Sequence, residues 1–451
     1  MSLRRAFSLL LMGCMLFSIF ALASCGKKGA VDTTATGTEP VGTEPESTEA
    51  NTTAAETTAA PSVTEAPVDE GPRVDEFPVA DAPFNPASGM TENMLARSVH
   101  YEGDVTRLKA KLDQIYDQSY AGETKIFFLG DSITEGSGSL SGPNSFRRRT
   151  EAWFNENGKS RIVCKNAGIG ATDTYLAVHR VEKDVLSMDP DIIFIEFIND
   201  SDDEFYTACM ESLIRKCLAA PTNPAVVLIE MTLKGGGNCQ TAHATAARAY
   251  GVPVLSYHDA VTPEIEAGNF SFSDISADGT HPNPVGHGWV AEIITHFLEQ
   301  VSASPAAGEV TPFDPATPSI MGDKYANAGL YEKNSAGLVA RPDENFIRQT
   351  TPKKFQNGWA TDNGGTITFE AEFANFGLLY YKTTDGKTGV VNVEIDGVSA
   401  GFVNGIFPNG WGDYPAAVEL YTSNESKMHT VTITVSSAAR KQFEILGLLM
   451  S

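Results

Sequence analysis

Between residues 125 and 301, five short apolar runs rich in β-forming residues (125–129, 161–165, 191–197, 225–231 and 252–257) alternate with helical patterns. The helical patterns fall at 145–157, 173–186, 203–219, 239–250 and 284–301, with a further one expected around 104–120. Strands separated by helix-length crossovers pair in parallel and carry their helices on both faces. The fold class expected for residues 81–304 is therefore a three-layer α/β/α arrangement around a mostly parallel five-stranded sheet. Sheets of this kind bind ligands beyond the carboxyl ends of their strands. The polar, glycine-containing segments that follow the strands are thus where chemistry is to be sought.

Four such segments stand out. Gly130-Asp131-Ser132-Ile133-Thr134-Glu135-Gly136 follows the first run; its glycines permit a tight strand-to-helix turn that starts a helix at Ser132 with a free N–H. Asn166-Ala167-Gly168-Ile169-Gly170-Ala171-Thr172 follows the second run, and its small residues leave backbone N–H groups accessible. Ile198-Asn199-Asp200 follows the third and offers a side-chain amide donor. Asp278-Gly279-Thr280-His281 lies in the last loop, a carboxylate three residues ahead of an imidazole. Alone, a serine in a glycine turn is as readily a helix cap and an asparagine after a strand a turn residue.

The four blocks together, in this order and at these strand ends, resemble the SGNH (GDSL-type) hydrolase superfamily, over residues 125–301. The 166–172 stretch, with Arg180 and the run 190–200, is similar to the carbohydrate-esterase branch. The resemblance implies a flavodoxin-like sheet and an ester-cleaving serine: Ser132 as nucleophile, His281 as the base that takes its proton and returns it to the leaving alcohol, and Asp278 as the group that orients the imidazole. It implies an oxyanion hole built from the N–H of Ser132, a backbone N–H of the Gly170 and Ala171 turn, and Asn199. Ala171 stands where many relatives carry glycine, with Gly170 just before it, and both stay open as the donor. No cofactor and no metal is implied. The rate should rise with pH through the range where imidazole loses its proton.

Other polar residues read as structural. Asp131 is expected to stabilise the nucleophile turn, Asp200, Asp202 and Asp203 to form a helix-start cluster, and His287 to be structural. His179, His243 and His258 lack metal-ligand spacing and read as surface or satisfied core groups. Cys164, Cys209, Cys217 and Cys239 are compatible with disulfides or with four buried thiols.

Outside this domain the pattern changes. Arg4 and Arg5 precede an apolar run over 7–23, which reads as a secretory signal (1–24) rather than a membrane span. Leu22-Ala23-Ser24-Cys25 resembles the lipobox of bacterial lipoproteins, which implies lipidation at Cys25 and anchoring at the bacterial cell surface. Residues 25–80, dominated by Thr, Glu, Ala and Pro, form an expected disordered tether. A Pro/Ala/Thr-rich linker at 305–318 leads to residues 319–451, where strand-like segments at 366–370, 377–382, 389–395, 416–421, 429–435 and 443–449 and recurring Asp-Gly turns point to a jelly-roll-like β-sandwich. This module resembles the accessory sandwiches beside SGNH domains. Its Trp359 and Trp411, both in Asn-Gly-Trp loops, suit either stacking on sugar rings or plugging a sandwich end.

With 33 Lys+Arg against 57 Asp+Glu, a net charge of −24, the chain lacks the basic face of a nucleic-acid binder. The function expected is a surface-anchored serine esterase removing acyl groups, acetyl first, from an acylated carbohydrate. The alternatives are a lipase or lysophospholipase on the same residues and a non-catalytic glycan-binding lipoprotein, against which intact Ser132, Asn199, Asp278 and His281 weigh.

Overall fold

A computed structural model describes residues 71–306, 308–436 and 441–451. The signal segment, Cys25 and nearly all of the tether lie outside the described residues.

The first sheet has six strands in the order β1-β6-β5-β4-β2-β3: β1 (Val99–Tyr101), β2 (Glu123–Gly130), β3 (Arg161–Gly168), β4 (Ile192–Glu196), β5 (Ala225–Glu230) and β6 (Val254–Ser256). Five run parallel as expected. The three-residue β1, too short to show a periodic pattern, adds an antiparallel edge against β6. Alternation along β2 divides the core: Ile126 and Phe128 face one layer, and Phe127 and Leu129 the other. The first layer is built from helices Thr106–Tyr116, Phe146–Asn157, Tyr257–Glu266 and Pro284–Ala303; the second from Thr174–Asp184, Glu204–Leu218 and Gln240–Ala249.

Residues 329–450 form an eight-stranded antiparallel sheet with the main path β12-β11-β13-β10-β14-β7. Its strands are β7 (Gly329–Tyr331), β8 (Val339–Pro342), β9 (Trp359–Thr361), β10 (Gly365–Lys382), β11 (Val390–Ile395), β12 (Val398–Asn404), β13 (Tyr414–Val435) and β14 (Phe443–Met450). The expected segments 366–370 and 377–382 are two halves of the single strand β10, and 416–421 and 429–435 are halves of β13. Register breaks at Phe373/Asn375 and Phe376/Gly377 separate the halves of β10. An inserted residue switches which side chains face inward: Ile367, Phe369, Ala371 and Phe373 fill the sandwich core on one side of the break, and Phe376, Leu378 and Tyr380 on the other. Beyond the break, Leu379 points the opposite way and joins Phe355, Leu446 and Leu449 against the helices of the first domain. The sandwich thus has a second buried face, and the two modules pack through apolar side chains.

Candidate active site

β2 ends at Gly130, and the chain turns directly into the one-turn helix Ser132–Glu135. Asp131 holds this corner. Its Oδ1 accepts from the Ile133 N–H at 2.9 Å, and its Oδ2 accepts from the Ile198 N–H at 3.0 Å and Asn199 Nδ2 at 2.9 Å, which ties the Ser132 turn to the segment after β4. Glu196, at the end of β4, accepts from the Thr134 N–H at 3.2 Å and its hydroxyl at 2.7 Å. On the other side β3 runs hard against the same helix: a Cβ at Gly168 would lie 2.4 Å from the Glu135 nitrogen, so only glycine admits this approach. Ser132 is left half-buried at the carboxyl rim of the sheet.

The loop that carries His281 is cinched from within. Ala277 N–H donates to the His281 carbonyl at 2.8 Å. Asp278 Oδ1 accepts from the N–H groups of Thr280 at 3.0 Å and His281 at 2.8 Å. The remaining oxygen, Asp278 Oδ2, is 2.7 Å from His281 Nδ1, and His281 Nε2 is 2.9 Å from Ser132 Oγ. A carboxylate can only accept, so Nδ1 carries the proton and Nε2 turns its lone pair to the serine hydroxyl. Partial burial pulls the Asp278 pKa upward, but the hydrogen bonds from His281 and Thr280 outweigh it and hold the carboxyl below its usual range.

The second wall is the Gly168–Ala171 turn. Ala171 sits at φ 60°, a left-handed conformation that favours glycine. Gly170 N–H donates to Glu135 Oε2 at 2.9 Å. The N–H groups of Ser132 and Ala171 have no acceptor among the described residues. Asn199 Nδ2 is directed at two protein acceptors, Asp131 Oδ2 at 2.9 Å and the Thr172 carbonyl at 3.1 Å. From the sandwich, Lys354 donates to the Gly168 carbonyl, so the second module touches this turn. Arg180, wholly buried, donates to the carbonyls of Ala167 at 2.8 Å and Gly130 at 3.0 Å, bridging the ends of β3 and β2 beneath the serine.

The acidic residues after β4 depart from the expected helix-start cluster. Asp203 alone caps its own helix, accepting from the Tyr206 N–H at 3.1 Å. Asp202 caps the next one, accepting from the Ala242 N–H at 2.6 Å, and Asp200 accepts from the Thr174 N–H at 3.0 Å. Asp200 also receives His243 Nε2 at 3.0 Å, while His243 Nδ1 lies 3.0 Å from Glu230. Burial works against charge on this ring, yet Cys239, Glu230 and Asp200 hold its pKa well above the ordinary value. His243 is a satisfied core group as expected, and the fold brings donor atoms of Glu230, Cys239 and His243, which show no metal-ligand spacing in the sequence, within 4.8 Å of one another. Both ring nitrogens lie at 3.0 Å from a carboxylate oxygen.

The other histidines read from sequence as structural are so placed. His287 Nδ1 accepts from the Phe146 N–H at 3.2 Å and Nε2 donates to the Ser137 carbonyl at 2.9 Å, which fixes the neutral tautomer; burial pushes its pKa down to about 4. His179 is buried with Nδ1 at 2.7 Å from the Tyr175 carbonyl, and His258 lies half-buried beside Thr232. The four cysteines of this domain are free thiols rather than disulfides; Cys209, Cys217 and Cys239 are buried as expected, but Cys164 is only half-buried.

Asp173, which caps the helix Thr174–Asp184 through the Leu176 N–H at 2.8 Å, has its carboxyl pushed up to about 7 by burial and by neighbouring Asp200. The folded protein therefore holds this proton between pH ~4 and ~7 while the unfolded chain has lost it, and the stability it confers falls as pH rises through that window. Asp173→Asn keeps the capping acceptor and removes the ionisation. Its stability gain over the parent should be larger at pH 8 than at pH 5. Thermal midpoints of both proteins at the two pH values decide this, and an unchanging difference refutes it.

Residues 128–289 match the family model described as GDSL-like Lipase/Acylhydrolase. The crystal structure of a two-domain esterase active on acetylated mannans is similar at 28% identity with a TM-score of 0.71, covering 78% of this chain and 96% of that one. The same kind of esterase co-crystallised with mannopentaose is similar at 27% identity and a TM-score of 0.68, covering 77% and 95%. No curated protein matches the sequence.

Proposed function

We propose that this chain, a carboxylic ester hydrolase whose residues 128–289 match the GDSL-like Lipase/Acylhydrolase family model, removes acetyl groups from a carbohydrate polymer of the mannan class, with Ser132, His281 and Asp278 as its catalytic residues. The observation that carries the reading is the unbroken relay Asp278 Oδ2, His281 Nδ1, His281 Nε2, Ser132 Oγ, at 2.7 and 2.9 Å. The substrate class rests on the similarity to the mannan-active esterase, which extends over both modules.

His281 Nε2 takes the hydroxyl proton as Ser132 Oγ attacks the acetyl carbonyl, and Asp278 stabilises the imidazolium that forms. The tetrahedral oxyanion is received by the N–H groups of Ser132 and Ala171, while Gly170 is occupied by Glu135. Asn199 completes the hole by exchanging its longer bond, to the Thr172 carbonyl, for the oxyanion. Each donor of this kind contributes about 2.7–4 kcal/mol to the transition state. The imidazolium then protonates the departing sugar hydroxyl, and a water, activated by the same ring, releases acetate and restores Ser132. Lipid attachment at Cys25 would hold the enzyme at the cell surface, with the tether extending its reach.

Acetate release from acetylated glucomannan, xylan, pectin and peptidoglycan, measured in parallel, tests the substrate class: mannan should give the largest kcat/KM. Faster turnover of 4-nitrophenyl palmitate than of the acetate would replace this reading with a lipase.

A further inference from the structure

Of the four tryptophans, Trp289 and Trp359 are 2% exposed and Trp153 is half-buried with its indole N–H on Glu299. Trp411 is 71% exposed. The loop around it is braced by further aromatic rings. The Trp411 ring lies on Tyr414, with centroids 4.8 Å apart and planes inclined by 26°, and meets the edge of Phe407 at 5.7 Å. Phe407 and Tyr414 brace each other at 5.3 Å, and the Lys382 ammonium stands 5.7 and 5.8 Å from their rings. Gly410 is required, because a Cβ there would fall 2.2 Å from the Phe407 ring, and Asn409 is held at φ 59°. Beyond the indole, Asp413 Oδ1 anchors the loop by accepting from the Thr384 N–H at 2.7 Å and hydroxyl at 2.8 Å.

One face of the indole thus lies on Tyr414, and the exposed remainder of the ring is a flat apolar surface. The geometry points to a second carbohydrate-binding site on the sandwich, in which Trp411 stacks against a pyranose ring of a neutral polysaccharide. A pyranose presents a flat array of C–H bonds, which an exposed aromatic face complements. A protein partner needs a far larger patch, on the order of 800 Å² per side. The net charge of −24 disfavours anionic polymers by repulsion. The stacking makes no use of the Ser132 hydroxyl.

The test is affinity electrophoresis of the full chain carrying Ser132→Ala, in gels containing deacetylated galactomannan, glucomannan, xylan or amylose. At least one neutral polymer should retard it. Adding Trp411→Ala should weaken that binding about tenfold, the scale of a lost aromatic contact, with an unchanged thermal midpoint showing that the fold is intact, and Trp411→Tyr should restore part of it. Migration unaffected by every polymer, or retardation equal with and without Trp411, overturns the proposal. Because neither the protein nor the polymers undergo turnover, failure here leaves the hydrolase reading standing, and an inactive parent enzyme would leave this one standing.

Discussion

Ser132→Ala should lower kcat on 4-nitrophenyl acetate by about 10⁴-fold or more while the thermal midpoint stays close to that of the parent. The first half follows from the relay: without the Ser132 oxygen, His281 has a lone pair but no hydroxyl to activate, and the N–H groups of Ser132 and Ala171 can only polarise the ester for unassisted attack by water. The second half follows from the local contacts. The Ser132 hydroxyl is bonded to His281 Nε2, and the half-exposed His281 ring can exchange that bond for water, so the cost to folding should remain within about 1 kcal/mol. His281→Ala should bring a loss of similar size, and the double variant little more, because the two side chains act as a unit. A Ser132→Ala enzyme with parental turnover would move the chemistry elsewhere in the protein. Additive losses in the double variant would mean that Ser132 and His281 contribute separately.

The Ser132 turn, the Asp278–His281 loop and the five parallel strands were legible as structure because each is specified locally: a strand's apolar run, a glycine where the chain turns, two polar groups three residues apart. What was hidden depends on pairings between distant residues. Glu196 looks like one acid in an apolar run, and only the meeting of β4 with the Ser132–Glu135 helix shows that it holds Thr134. Such an acid inside a buried strand was itself a signal that could have been followed. His243 acquires carboxylate neighbours from segments 43 and 13 residues away, and Lys354 reaches the Gly168 turn from 186 residues away. The two Asn-Gly-Trp loops show the limit most directly. Trp359 packs edge-on against Phe369 inside the sandwich, next to a Gly358 whose Cβ would collide with the Ile445 carbonyl. Trp411 lies outside on Tyr414. The same tripeptide is core in one place and surface in the other, because what decides its burial is the strand behind it.

Arg180→Met should cost about 3–5 kcal/mol of stability, the range expected when one partner of a buried charged network is removed. The Arg180 side chain is fully enclosed, and its two terminal nitrogens donate to the carbonyls of Ala167 and Gly130 and to Asp184 Oδ2, the last at 2.9 Å. Methionine fills similar volume but donates nothing, so the Ala167 carbonyl would lose a charged donor in a place water does not reach, and that desolvation cost dominates. Asp184 is 27% exposed on its side chain and can turn to water, so it adds less. The Gly130 carbonyl retains the Ile169 N–H at 3.0 Å, which reduces its share of the cost. Because those carbonyls end the strands that deliver Ser132 and the Ala171 turn, kcat should fall along with stability. Arg180→Lys should recover only part of both, since a single ammonium cannot span the two acceptors as the guanidinium fork does. Urea unfolding read by tryptophan fluorescence measures the first effect and turnover at saturating ester the second. A methionine variant with the parental urea midpoint would show that neither carbonyl depends on the guanidinium, and the strand ends would then be held by their backbone ladder alone.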